Sequence, residues 1–106
     1  MRLPEAVLLA PAAVRDLRRI RAWIAADSGM QRAKDVVRTI LDVVGWIAEM
    51  PTVGAPGPSV GDDVRCIVRR PYLIFYRNID KHVQILRVIN GRRDLHTAWL
   101  EDKPLP

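Results

Sequence analysis

The hydrophobic period of this chain changes once, at Pro51, and that change restricts the folds open to it. Before Pro51 apolar residues recur at three- and four-residue steps, the spacing of a helix face; from Val64 onward they alternate, the spacing of a strand. Helices first and strands afterwards imply an α+β domain with a mostly antiparallel sheet, because a parallel sheet needs a crossover between each pair of strands. At 106 residues there is room for one such domain, spanning 1–106.

The helical part divides in two. A short apolar stretch, Glu5 to Leu9, leads to Pro11, which suits the first helical position because its missing N–H would have no partner there. Ala10 would be the N-cap and has no side-chain acceptor. Val14, Leu17, Ile20 and Ile24 then form one stripe, with Arg15, Arg18 and Arg19 mostly outside it. Ser28 to Gln31 reads as a break whose Ser-x-x-Gln spacing fits a capping box for a second helix. That helix carries Ala33, Val36, Val37, Ile40, Leu41, Val44, Ile47 and Ala48 on a wide apolar stripe and stops at Pro51. Two long helices joined by so short a break fold back as an antiparallel hairpin.

Residues 51–61 hold three prolines and three glycines and read as a loop. Three antiparallel strands are predicted beyond it: Val64 to Arg69, Tyr72 to Arg77 and Val83 to Ile89, joined at Arg70-Pro71 and at Asn78 to Lys81. Gly91 ends the last strand, and Asp94 to Leu100, with Trp99, reads as a short helical or irregular tail.

Charge is unevenly placed. The chain carries a net +5, yet residues 1–63 balance eight basic side chains against eight acidic ones, while residues 64–96 hold eight basic and two acidic. A field confined to one segment points to an anionic partner, nucleic acid or an acidic protein segment. The single Cys66 makes no internal bridge, and the first apolar run is far too short for a signal or a membrane helix, so a cytoplasmic protein that makes no membrane contact is expected. No Cys or His grouping has metal-ligand spacing and no glycine-rich turn opens a helix; neither a metal nor a cofactor is expected. Gly57-Pro58-Ser59-Val60-Gly61 matches G-x-S-x-G, but a serine hydrolase needs a strand before that serine and a helix after it. A DNA-reading helix-turn-helix is opposed by the apolar, charge-balanced helices.

The stretch from Arg65 to Asp94 carries the most information: R-C-I-V-R-R-P-Y-L-I-F-Y-R, a polar turn, then V-Q-I-L-R-V-I-N-G-R-R-D. Together with Asp16, Leu17 and Ile20 of a D-L-x-x-I pattern, and with Pro51 and Gly54, it resembles the RelE/ParE superfamily of toxins in type II toxin–antitoxin systems, most closely the ParE branch. Element order and length agree over essentially the whole chain. The resemblance implies that the first short strand joins the meander and that the hairpin packs across one sheet face. It also implies a toxin that binds DNA gyrase and traps its cleaved-DNA complex without catalysing a reaction, held as a hetero-oligomer with a ParD-like antitoxin. Two alternatives stay open: a RelE-like ribosome-dependent mRNA endoribonuclease, and a non-toxic module that only binds the antitoxin.

Residues that would carry these roles follow from the strands. Arg65, Arg87, Arg92 and Arg93 are the target-binding candidates, since guanidinium groups suit bidentate contacts with phosphate or carboxylate. By alternation the sheet face opposite the helices would mix Arg65 with Ile67 and Ile85 with Arg87, a surface suited to an amphipathic antitoxin segment, with Trp23 and Trp46 as further anchors. A nuclease would need an acid beside a phosphate, for which His96 with Arg87, Arg92 and Arg93 is the available set; His82 reads as a surface histidine.

Overall fold

A computed structural model describes residues 6–56 and 63–92. Among them a strand β1 (Val7–Leu9), two helices α1 (Pro11–Ser28) and α2 (Met30–Glu49), and four further strands, β2 (Ala55–Pro56), β3 (Arg65–Arg69), β4 (Tyr72–Ile79) and β5 (His82–Asn90), follow in chain order. Pro11 opens α1 behind an Ala10 cap that makes no side-chain bond, as the sequence requires. The break falls on one residue. Gly29, at φ 92°, is both the last cap of α1 and the first of α2, a left-handed conformation that glycine adopts without the Cβ penalty. The capping box expected at Ser28 does not form: Ser28 is still helical and its hydroxyl donates to Asp27 at 2.7 Å.

The sheet runs β1-β5-β4-β3-β2, antiparallel throughout except for β1, which lies parallel to β5 with Val7 beside Val83 and Leu9 beside Ile85. The β4–β5 turn is two residues, Asp80 and Lys81, and Asp80 takes the positive φ that Asp tolerates. The loop expected over 51–61 contains one short strand, β2, which pairs Ala55 with Cys66 and Pro56 with Arg65 at the sheet edge. Its two residues leave no period to detect. The G-x-S-x-G stretch and the tail with Trp99 lie outside the described residues.

Apolar side chains cover both sheet faces. Ala13 of α1 and Ile40, Val44 and Ile47 of α2 close on Val7, Ile74, Tyr76, Val83, Ile85 and Val88, forming the main core. At roughly 1.5–3 kcal/mol per fully buried large apolar side chain, this cluster is the main source of stability. On the other face Val64, Phe75 and Ile89 gather with Cys66, Leu73 and Leu86. The sheet face proposed for the antitoxin is therefore corrected: Ile85 is fully buried under the helices and Ile67 packs on the same core. On β3 alternation separates Ile67 from Val64 and Cys66 but cannot say which set the helices cover.

Burial pushes the Cys66 thiol above its ordinary value, against a smaller opposing effect of a backbone hydrogen bond with Ile74. Because the thiolate is the nucleophile, Cys66 should be alkylated by iodoacetamide at pH 8 more slowly than a free cysteine. Its rate should keep climbing at pH values where the free thiol has levelled off. Alkylation as fast as glutathione would show that this sheet face is open to solvent.

Candidate functional site

A carboxylate on the apolar stripe of α1 organises the site. Asp16 falls between Ala13 and Ile20 at helical spacing, so it points toward the sheet and is 5% exposed. It meets β5 just past the end of β1. Beyond Ile85 that strand has no backbone neighbour on the β1 side, and Asp16 supplies the missing acceptor: the Val88 N–H donates to Oδ2 at 2.9 Å. Arg87 closes the arrangement, its Nε donating to Oδ2 at 2.7 Å and its Nη2 to Oδ1 at 2.9 Å. A buried charge is tolerable only when paired and hydrogen-bonded, and this geometry satisfies both oxygens.

Arg87, expected at a target, antitoxin or phosphate surface, is thus buried at 3% exposure and engaged with Asp16. Part of the reason is a bulge. Phe75 pairs with Arg87 while Tyr76 pairs with Ile85, so Leu86 has no partner in β4 and the alternation of β5 is reset there. Arg65 is likewise only half available: its Nη1 donates to the Gly54 carbonyl at 2.8 Å and the Thr52 carbonyl at 3.2 Å. It holds the chain leaving α2 rather than facing a partner. Tyr76 does the same from below, donating to the Pro51 carbonyl at 2.9 Å and accepting from the Gly54 N–H at 2.8 Å. Sequence reasoning missed Tyr76 and Asp16 as positioning residues. The signal for Asp16 was there, a lone carboxylate on an apolar stripe.

What remains at the surface lies around the exit of β5. The Gly91 N–H donates to the Pro71 carbonyl at 2.7 Å and the Arg92 N–H to Asn90 Oδ1 at 2.9 Å, which fixes the strand end against the β3–β4 turn and leaves Arg92 exposed. Between this exit and α1 lies a groove of about 390 Å³, with Asp16, Val88 and Ile89 among its lining and with Ile20, Trp23 and Arg92 along it. The structure thus brings Trp23 and Arg92 to one groove. Trp23 is 70% exposed and Trp46, on α2, 45%. Arg93 and His96 lie outside the described residues; His82 is exposed at the β4–β5 turn.

With this geometry in place, the comparisons bear on the chain. Residues 7–95 match the family described as the ParE toxin of the type II toxin–antitoxin system parDE. The fold is similar to a solved structure of the chromosomal ParDE toxin–antitoxin system from P. aeruginosa, with a TM-score of 0.71 and 26% identity over 80% of this chain and 94% of that one. No curated protein matches by sequence.

Proposed function

The chain belongs to the ParE toxin family of type II toxin–antitoxin systems, and on that footing we propose that it arrests growth by binding DNA gyrase and holding its cleaved-DNA complex, until a ParD-like antitoxin removes it. The observation that carries a binding rather than a catalytic mode is the state of Arg87. The nuclease reading offers Arg87 as one of its phosphate-holding groups, and here the Nε and Nη2 of that guanidinium are committed to Asp16. Arg92, exposed at the strand exit, and Arg93 after it are the residues we assign to the target. The exposed indoles of Trp23 and Trp46 are assigned to the antitoxin, because a large aromatic side chain left open to solvent is the kind of anchor a partner buries with most gain. No helix of the described residues is long and apolar enough to cross a membrane. The proposed site of action is the cytoplasm, where gyrase works.

Two assays run in parallel test this reading. In a gyrase supercoiling reaction the protein should make cleaved DNA accumulate, and the cognate antitoxin should restore supercoiling. In a translation-coupled reaction messenger RNA should stay intact. Ribosome-dependent cleavage with no effect on gyrase would replace the proposal by a ribonuclease using His96 with Arg92 or Arg93. Silence in both assays, with tight antitoxin binding, would leave a module that pairs without poisoning.

A further inference from the structure

Three arginines from two separate elements converge on a cleft that neither the family assignment nor the reading above uses. Arg32 comes from the first turn of α2; Arg69 is the last residue of β3 and Arg70 lies in the turn into β4. They line a cleft of about 250 Å³ together with Pro71 and Tyr72. Asp35 is the one carboxylate among its lining residues, and that group is taken by Arg38 and by Gln31 Nε2. Among the described residues none of the three guanidinium groups is in an ion pair.

The placement runs against local stability. Arg32 is the third residue of α2, a helix with no acidic residue in its first turn and no side-chain cap, so a cation sits where the helix dipole already presents positive charge. Residue choices that contradict a local rule without compensation inside the fold collect at functional sites. Arg32 and Tyr72 line the same cleft, where burial raises the Tyr72 hydroxyl above its ordinary value while the Arg32 charge pulls the other way. Three like charges and a phenol donor around one opening are stabilised by an anion with several acceptor oxygens.

We propose that this cleft, between the start of α2 and the β3–β4 turn, binds the phosphate backbone of DNA through Arg32, Arg69 and Arg70. The groups are all arginine, whose planar fork matches a phosphodiester. Pro71 and Tyr72 add an apolar wall against which a sugar or base packs, a feature a simple carboxylate would not use. Phosphate as the ligand rests on the cleft; DNA as the polymer rests on the gyrase reading, in which the toxin sits on a cleaved duplex.

The test is a titration of a fluorescein-labelled 20-base-pair duplex with the purified protein, in the absence of gyrase, at several salt concentrations. Arg32→Gln, Arg69→Gln and Arg70→Gln combined should weaken binding at least tenfold at 100 mM salt. The slope of log affinity against log salt should fall by about 2–3, since each phosphate contact on duplex DNA contributes about 0.9. Arg18→Gln, Arg21→Gln and Lys81→Gln combined remove the same charge elsewhere and should change affinity far less. Equal losses in the two triple variants would reduce the effect to net charge, and no loss in the cleft variant would remove the site; either overturns the proposal. It is also overturned if decaglutamate displaces the duplex at a lower charge concentration than unlabelled DNA does, because the cleft would then be an acidic-peptide site. A negative gyrase assay leaves this titration readable, and a failed titration leaves the gyrase reading standing.

Discussion

Replacing Asp16 by Ala should lower the stability of the chain by about 3–5 kcal/mol, the cost of leaving one partner of a buried ion pair without the other. The substitution takes the carboxylate away from Nε and Nη2 of Arg87, at 3% exposure, and removes the acceptor of the Val88 N–H at the open edge of β5. Small domains have only about 5–15 kcal/mol to lose, so this variant should be partly unfolded near 37 °C. Arg87→Met should cost a similar amount for the mirror reason. The informative measurement is the cycle. Asp16→Leu with Arg87→Met removes both charges and refills much of the volume, and it should recover most of the single-variant loss, because desolvating two ions offsets much of their attraction. Urea denaturation of the four proteins gives the coupling directly. Additive losses would mean that Asp16 acts mainly through the Val88 amide, and single losses under 1 kcal/mol would remove the pair from its proposed place in the fold.

The expected behaviour of that pair explains where sequence reading succeeded and where it stopped. Pro11, Gly29 and Pro51 act through local geometry: a ring that fixes φ, a residue free to take φ 92°, a missing N–H. Signals of this kind need no knowledge of distant contacts, and both helices were legible to within a few residues. The strands and their antiparallel order were legible because alternation and short turns are local as well. Which face of β5 meets the helices is a tertiary fact. Val83, Ile85, Val88 and Ile89 are all buried, some in each cluster, and a strand apolar on both sides carries no parity signal. Ile85 reads as open-face for that reason, and Ile67 because it shares its side of β3 with Arg65 and Arg69. Arg87 was lost in a second way, since the unpaired Leu86 resets the alternation and nothing in I-L-R-V-I announces a bulge. Trp23 and Trp46 read as anchors from residue type alone, and the structure exposes both.

Gly54 is a position where the sequence showed only loop composition and the structure predicts a large effect. A Cβ there would lie 2.8 Å from both Cε1 and Oη of Tyr76 and 3.1 Å from the Cys66 carbonyl oxygen. None of these atoms is free to retreat. The Tyr76 ring is fully buried in the main core, and its hydroxyl is fixed between the Pro51 carbonyl and the Gly54 N–H. Gly54→Ala should therefore cost about 2–4 kcal/mol, combining overpacking with the loss of a buried hydrogen bond. Tyr76→Phe should cost less, about 1–3 kcal/mol: it strands the Gly54 N–H but leaves Pro51 O with the Asn78 amide, which donates to it at 3.1 Å. The two changes together should cost less than their sum, because deleting the hydroxyl removes one of the two closest clashes while the ring edge keeps the other. The same changes should free the chain after α2, which Arg65, Tyr76 and Asn78 together pin to the sheet, so protease cleavage between 51 and 56 should rise in step with the stability loss. A Gly54→Ala protein within 0.5 kcal/mol of the original and equally resistant to protease would mean that the Tyr76 contact with this segment does not anchor the helical hairpin to the sheet.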